Sequence, residues 1–156
     1  MLLADVSERY TDLVTTVFSS TIAAKAWLAS AAVLLALVQV TTAARMFGKI
    51  PFLRIRGPWV PRIHRWSGRL AFLFTLPVFF HCATILGFQT PDTRVAVHSL
   101  AGTFLYGAFA AKVLVVRDRA LPGWALPVAG ATLASILGLI WVTSSLWYFT
   151  NVELAF

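Results

Sequence analysis

Two histidines stand in apolar stretches on either side of a short polar turn. His81 and His98 are 17 positions apart (98 − 81 = 17), and the midpoint falls at Gln89–Thr90, inside the turn "QTPD". If the flanking stretches form an antiparallel helical hairpin, both imidazoles lie at nearly the same depth, about 10 Å inside the outer boundary at a rise of about 1.5 Å per residue. An ionisable side chain inside a membrane is costly and needs a partner. A haem iron would accept one axial nitrogen from each histidine, so the spacing favours a b-type haem.

The residues around the histidines fit a flat cofactor between two helices. Gly102 lies one turn beyond His98 on the same helix face, where a larger side chain would press on the porphyrin. Pro77 lies one turn before His81, and a proline inside a helix predicts a kink. These positions predict a cleft that opens at the depth of the histidines.

Polar groups near the turn could hold the haem propionates. Arg94 and Gln89, and less directly Lys25, would neutralise or hydrogen-bond these carboxylates. Three other interpretations stay open: purely structural histidines, a proton relay, or another metal. A zinc site is not favoured, because no third ligand is expected at that depth.

The composition is typical of a membrane protein. Of the 156 residues, 59% are hydrophobic and 12% are charged, and the mean hydropathy is +0.80. Four apolar runs are each about 20 residues or longer, which is enough for a helix to cross a bilayer. They cover about 25–47, 67–88, 93–116 and 123–149. The expected fold is therefore all-α, an integral membrane four-helix bundle that forms a single domain.

The first twenty residues show a helical repeat of apolar and polar side chains. Tyr10 and Leu13 belong to an apolar face, and Asp5, Glu8 and Asp12 belong to the opposite face. This pattern predicts an amphipathic helix over about 3–20 that lies on the membrane interface. The alternative is a solvated segment that merely begins the first span.

Positive charge is concentrated in two connections between the runs. Ten of the 13 basic residues flank the first and third connections: Arg45, Lys49, Arg54, Arg56, Arg62, Arg65, Arg69, Lys112, Arg117 and Arg119. The positive-inside rule then places both connections in the cytoplasm, so we expect a multi-pass protein of the cell membrane with both termini outside. This distribution explains the pI near 10.6 without a nucleic-acid partner. The single cysteine, Cys82, excludes an internal disulfide and a multi-cysteine metal site.

One segment resembles a known superfamily. The stretch "HRWSGRLAFLFTLPVFFH" over 64–81, with a second histidine on the next span, resembles the b-type cytochromes of the ferric-reductase and cytochrome-b membrane superfamily. That resemblance covers the second and third spans and implies haem-mediated electron transfer. Over nearly its whole length the chain also resembles a small family of uncharacterised actinobacterial membrane proteins with four spans.

The chain departs from the two-haem pattern of that superfamily. Its members typically carry two histidines about 14 residues apart on each of two helices, close to four turns, so that both ligands share a face. Here the position 14 before His81 is Ser67, and the position 14 after His98 is Lys112. Neither is an expected haem ligand, so the inner haem site looks lost, and Lys112 could reach the cytoplasmic headgroups instead.

His64 is the remaining candidate ligand for a second haem, with Met46 as a conceivable opposite ligand. It precedes His81 by 17 residues, which places it about 100° away from the haem face of a continuous helix. A histidine that contacts headgroups or starts the helix is the favoured interpretation.

The leading functional hypothesis is a single-haem cytochrome that relays electrons near the outer face. It would exchange them with a quinol or a partner protein, as an electron-transfer component of an oxidoreductase. The main alternative is a haem-free structural or anchor subunit of a larger membrane complex. A third possibility is a subunit whose histidines bind the head of a quinol and pass protons.

Overall fold

The computed structural model describes residues 2–50, 57–118 and 120–152, and helices are the only regular secondary structure in these ranges. This confirms the all-α prediction. The N-terminal helix ends at Thr15, earlier than the predicted end near residue 20. The five helices are α1 (Leu2–Thr15), α2 (Thr21–Met46), α3 (Val60–Leu86), α4 (Thr93–Arg117) and α5 (Ala125–Asn151).

Helices α2 to α5 are long and apolar enough to cross a membrane. They contain 25 to 27 residues, and the mean hydropathy of their most apolar windows is 1.6 to 1.9. One boundary differs clearly from the predicted spans, because α3 begins at Val60 rather than near Ser67. The helix therefore extends back into the first basic connection. Pro61 is compatible with the helix, because a proline in the first turn costs no internal hydrogen bond.

Small residues dominate the packed interior. Ala23, Ala24, Ala26, Ala29 and Ala32 of α2 are 0 to 5% exposed. Side chains this small let helix backbones approach closely, as is common between helices in membranes. By contrast, many large apolar side chains of the long helices point outward, among them Leu34, Leu73, Leu100, Phe104 and Leu114. An apolar exterior of this extent suggests lipid contact.

The four long helices form two close pairs. α2 packs along α3, α4 packs along α5, and α2 and α5 join the two pairs. Backbone contact between α3 and α4 is sparse, and aromatic side chains bridge them. The Phe72 and Phe109 rings stack with centroids 4.4 Å apart, and the Tyr106 hydroxyl donates to the Thr75 carbonyl at 3.1 Å. A gap therefore remains between α3 and α4 toward the turn that connects them.

The α3–α4 turn, residues 87–92, fixes the depth of both histidines. Gly87 ends α3 with a φ of 68°, a conformation that favours glycine. Asp92 caps α4 by accepting a hydrogen bond from the Val95 amide at 2.8 Å. His81 then lies five residues before the end of α3 (86 − 81), and His98 lies five residues after the start of α4 (98 − 93). Hereafter this end of the bundle is called the turn end.

Candidate functional site

A cavity of about 560 Å³ lies between α3 and α4 at the turn end, with α2 and α5 closing its other sides. Its size is within the range of about 300–1,000 Å³ usual for ligand and cofactor sites. Most of its walls are apolar. Among the predicted site residues, His98, Gly102, Arg94, Gln89 and Lys25 all line it.

His98 is held by α5. Its Nδ1 lies 3.2 Å from the Thr143 hydroxyl and 3.3 Å from the Ile140 carbonyl oxygen. A histidine that ligates a metal is commonly oriented in this way, with one ring nitrogen bonded to a neighbouring oxygen. The other nitrogen, Nε2, is the one available to a ligand in the cavity.

His81 is buried beside the cavity rather than on its lining. Its side chain is 2% exposed, and neither ring nitrogen has a hydrogen-bond partner in the described part of the chain. The ring lies against Tyr10 of α1, with centroids 5.9 Å apart, while its helical neighbours Val78 and Cys82 face the cavity. Leaving a buried polar nitrogen without a hydrogen bond costs about 1–3 kcal/mol, so a bound ligand that paired with this nitrogen would be favourable.

Gly102 faces open space. A Cβ added at this position would meet no neighbouring heavy atom of the described residues within 4 Å. The wall opposite α3 is therefore recessed one turn beyond His98. A flat group could approach the α4 backbone at this point.

Two cationic side chains, Arg94 and Lys25, and the amide side chain of Gln89 line the cavity. Arg94 donates from Nη1 to the Thr143 carbonyl at 2.7 Å, lies 4.3 Å from the centroid of the Trp147 ring, and is 3.9 Å from the Asp92 carboxylate. Gln89 donates from its side chain to the Leu86 carbonyl at 2.9 Å. Arg94 is thus held in place from three sides, and the cavity has a positively charged end.

Two π-helical segments border the cavity. One covers His81–Leu86 in α3 and the other covers Val142–Leu146 in α5. Such segments are rare and often occur at functional sites. The sequence predicted a kink at Pro77, and the first segment begins four residues later. The segment in α5, and with it the contacts of Thr143, was missed, and the run Thr143-Ser144-Ser145 is a weak signal for it.

The comparisons with known proteins concern the whole chain. Residues 4–156 match the model of a family described as "Family of unknown function (DUF6529)". The chain belongs to this family. No curated protein and no solved structure matches the chain. No cytochrome b or ferric-reductase family was found, so for this member of DUF6529 the resemblance to those cytochromes stays a prediction.

His64 of the DUF6529 chain lies toward the opposite end of the bundle and does not line the cavity. Its Nδ1 is 2.8 Å from the Thr42 hydroxyl, and its carbonyl accepts a hydrogen bond from Gln39. The same Gln39 amide also donates to the Ser67 hydroxyl at 3.0 Å. These contacts join α2 to α3, so His64 has a structural role in helix packing.

The other two residues considered for a second haem lie on α2 and α4. Met46 is the last residue of α2 and is 44% exposed. Lys112 is half-buried in α4, within electrostatic range of His64. Within the described ranges, moreover, no three His, Cys, Asp or Glu side chains are grouped to hold a metal ion, whereas a haem needs only two axial ligands.

Proposed function

We propose that this chain is a b-type membrane cytochrome that binds one haem in the cavity at the turn end. His98 and His81 are its axial ligands. Two observations together support this most strongly: His98 is oriented on the cavity wall, and His81, buried beside the cavity, has no hydrogen-bond partner for its ring nitrogens among the described residues. Both side chains lie five residues from their helix ends, which suits the two faces of one porphyrin.

The cavity supplies what a porphyrin requires. Its apolar walls suit the macrocycle, and the recess at Gly102 leaves room for the ring edge. Arg94, Lys25 and Gln89 at the polar end are suited to the propionates. Ligation by His81 requires its ring to turn from Tyr10 toward the side of Cys82, and this movement would give its unpaired nitrogen a partner.

Haem so ligated supplies one-electron chemistry. With both axial positions filled by histidine, no site is left for oxygen, so outer-sphere electron transfer is favoured. The protein's own residues then have simple tasks. The two histidines hold the iron, Arg94 and Lys25 balance negative charge, and the apolar walls exclude water.

The four long helices are proposed to cross the cell membrane with the turn end near the outer face. The ten basic residues at the first and third connections support this orientation. The electron donor or acceptor is then a membrane quinol or a protein at the outer face. The chain works as an electron-transfer component of an oxidoreductase.

Three alanine variants test the ligand assignment. His81→Ala and His98→Ala should each abolish the low-spin haem spectrum of the purified protein, because each removes one axial bond. His64→Ala is the matched control and should keep the spectrum, since its ring contacts Thr42 of α2 instead. A low-spin spectrum that survives in both His81→Ala and His98→Ala would overturn the proposal.

A further inference from the structure

Thr143, in the π-helical segment of α5, contacts two side chains that line the cavity, Arg94 and His98. The Thr143 carbonyl accepts a hydrogen bond from Arg94, and the Thr143 hydroxyl lies 3.2 Å from Nδ1 of His98. Thr143 is the second residue of this π-helical segment, and such segments often occur at functional sites. Thr143 therefore contacts both the proposed ligand and the proposed propionate cation.

The hydrogen bonds around Thr143 fix the direction of the bond to His98. The Thr143 hydroxyl has one proton, and it can donate that proton to the Leu139 carbonyl at 2.7 Å or the Ile140 carbonyl at 3.1 Å. Its lone pairs then face His98. The Ile140 carbonyl, 3.3 Å from Nδ1, can only accept. Both neighbours of Nδ1 are thus acceptors, so Nδ1 carries the hydrogen and Nε2 carries the lone pair.

We propose that Thr143 is a positioning residue for His98. Its hydroxyl holds the His98 imidazole in the Nδ1–H tautomer and so directs Nε2 into the cavity. The effect of Thr143 on the redox potential rests on the proposed function, because it requires that His98 ligates a haem. A bond from Nδ1–H to an acceptor raises the basicity of the ligating nitrogen. A more basic ligand stabilises ferric iron relative to ferrous iron and so lowers the midpoint potential.

Two substitutions separate the hydroxyl from the rest of the residue. Thr143→Val removes the hydroxyl but keeps the branched shape and the carbonyl that binds Arg94, while Thr143→Ser keeps the hydroxyl. Thr150→Val is a matched control, because the Thr150 hydroxyl also bonds back to its own helix, at 3.0 Å from the Leu146 carbonyl, and does not line the cavity.

The first measurement is a spectroelectrochemical titration of the purified, haem-containing proteins. Thr143→Val should raise the midpoint potential of the haem and lower haem affinity by about tenfold. Tenfold is the lower end of the usual effect of removing a hydrogen-bond partner of a ligating histidine, and we expect it because the Ile140 carbonyl still accepts from Nδ1. Thr143→Ser and Thr150→Val should behave like the wild type. A haem-bound Thr143→Val protein with the wild-type potential and affinity would overturn the inference. If Thr143→Val does not fold, Thr143→Ala serves in its place with the same expected result.

The second measurement does not depend on haem. In haem-free protein with ¹⁵N-labelled histidine, the His98 resonances should show the Nδ1–H tautomer in the wild type. Thr143→Val should show exchange between tautomers. An Nε2–H tautomer in the wild type would overturn the positioning role. A wild type without haem would instead refute the proposed function and leave this test of Thr143 intact.

Discussion

The hydroxyl of Tyr10 donates to the carbonyl of Pro77 at 3.1 Å, which docks the N-terminal helix α1 against α3. The Tyr10 ring also lies 5.1 Å from the Phe80 ring and 5.9 Å from the His81 ring. Burial, and to a smaller degree the nearby Cys82, raises the pKa of Tyr10, so the phenol stays a neutral donor at physiological pH. Helix α1 therefore covers His81 through the Tyr10 ring.

The first prediction concerns this contact. Tyr10→Phe should lower the free energy of unfolding by about 1 kcal/mol, because it removes the hydrogen bond to Pro77 and keeps the ring contacts. Tyr10→Ala should cost more, since it also uncovers His81. Leu13→Ala, at a side chain of α1 that is 72% exposed, is the control and should change little. Denaturation of the purified protein in detergent measures all three, and equal stability of Tyr10→Ala and the wild type would show that α1 is not docked.

The second prediction concerns the recess at Gly102. Gly102→Leu should retain the helical fold but lose haem, because the new side chain would extend into the cavity at the porphyrin edge. Gly107→Leu is a close control: it lies on the same helix, also faces open space and does not line the cavity. Haem content and helical circular dichroism of the two variants give the answer. Full haem content in Gly102→Leu would contradict this placement of the porphyrin.

The third prediction is topological. In a Cys82→Ala background, a cysteine at Asp5 should react with an impermeant thiol reagent in intact cells, because the proposed orientation places the N-terminus outside. A cysteine at Ala120, in the third connection, should react only after the cells are opened. The reverse pattern would place the turn end at the cytoplasmic face and overturn the orientation.

The fourth prediction concerns the range of electron transfer. A haem about 10 Å below the outer face is separated from the cytoplasm by roughly 20 Å of a hydrocarbon core about 30 Å thick. In liposomes with the turn end outward, an impermeant reductant added outside should therefore reduce the haem quickly. The same reductant trapped inside should act slowly. Equally fast reduction from inside would point to a second redox centre and bring His64 back as a ligand.

The sequence predicted the helices well because hydropathy and length determine them. The four apolar runs correspond to α2–α5. The start of α3 lies before the predicted span, because the apolar run reaches back only to about Ser67, whereas the helix begins at Val60 with Pro61 in its first turn.

The orientation of the site residues could be predicted only in part. His98, Gly102 and Arg94 share the cavity as their helical spacing on α4 predicts. The position of His81 relative to the cavity was not predicted: it is buried against Tyr10 of α1, and no residue pattern in the sequence indicates that α1 docks there. The contacts of Thr143 lie in a π-helical segment of α5, and regular periodicity does not reveal that segment.

The most direct test of the central claim is the reduced-minus-oxidised optical spectrum of the purified wild-type protein, combined with its haem content by the pyridine haemochrome assay. The proposed function predicts a low-spin b-type spectrum and one haem per chain. A folded protein that carries no haem, even when it is made in cells supplied with haem precursors, would contradict the claim and favour the haem-free structural subunit.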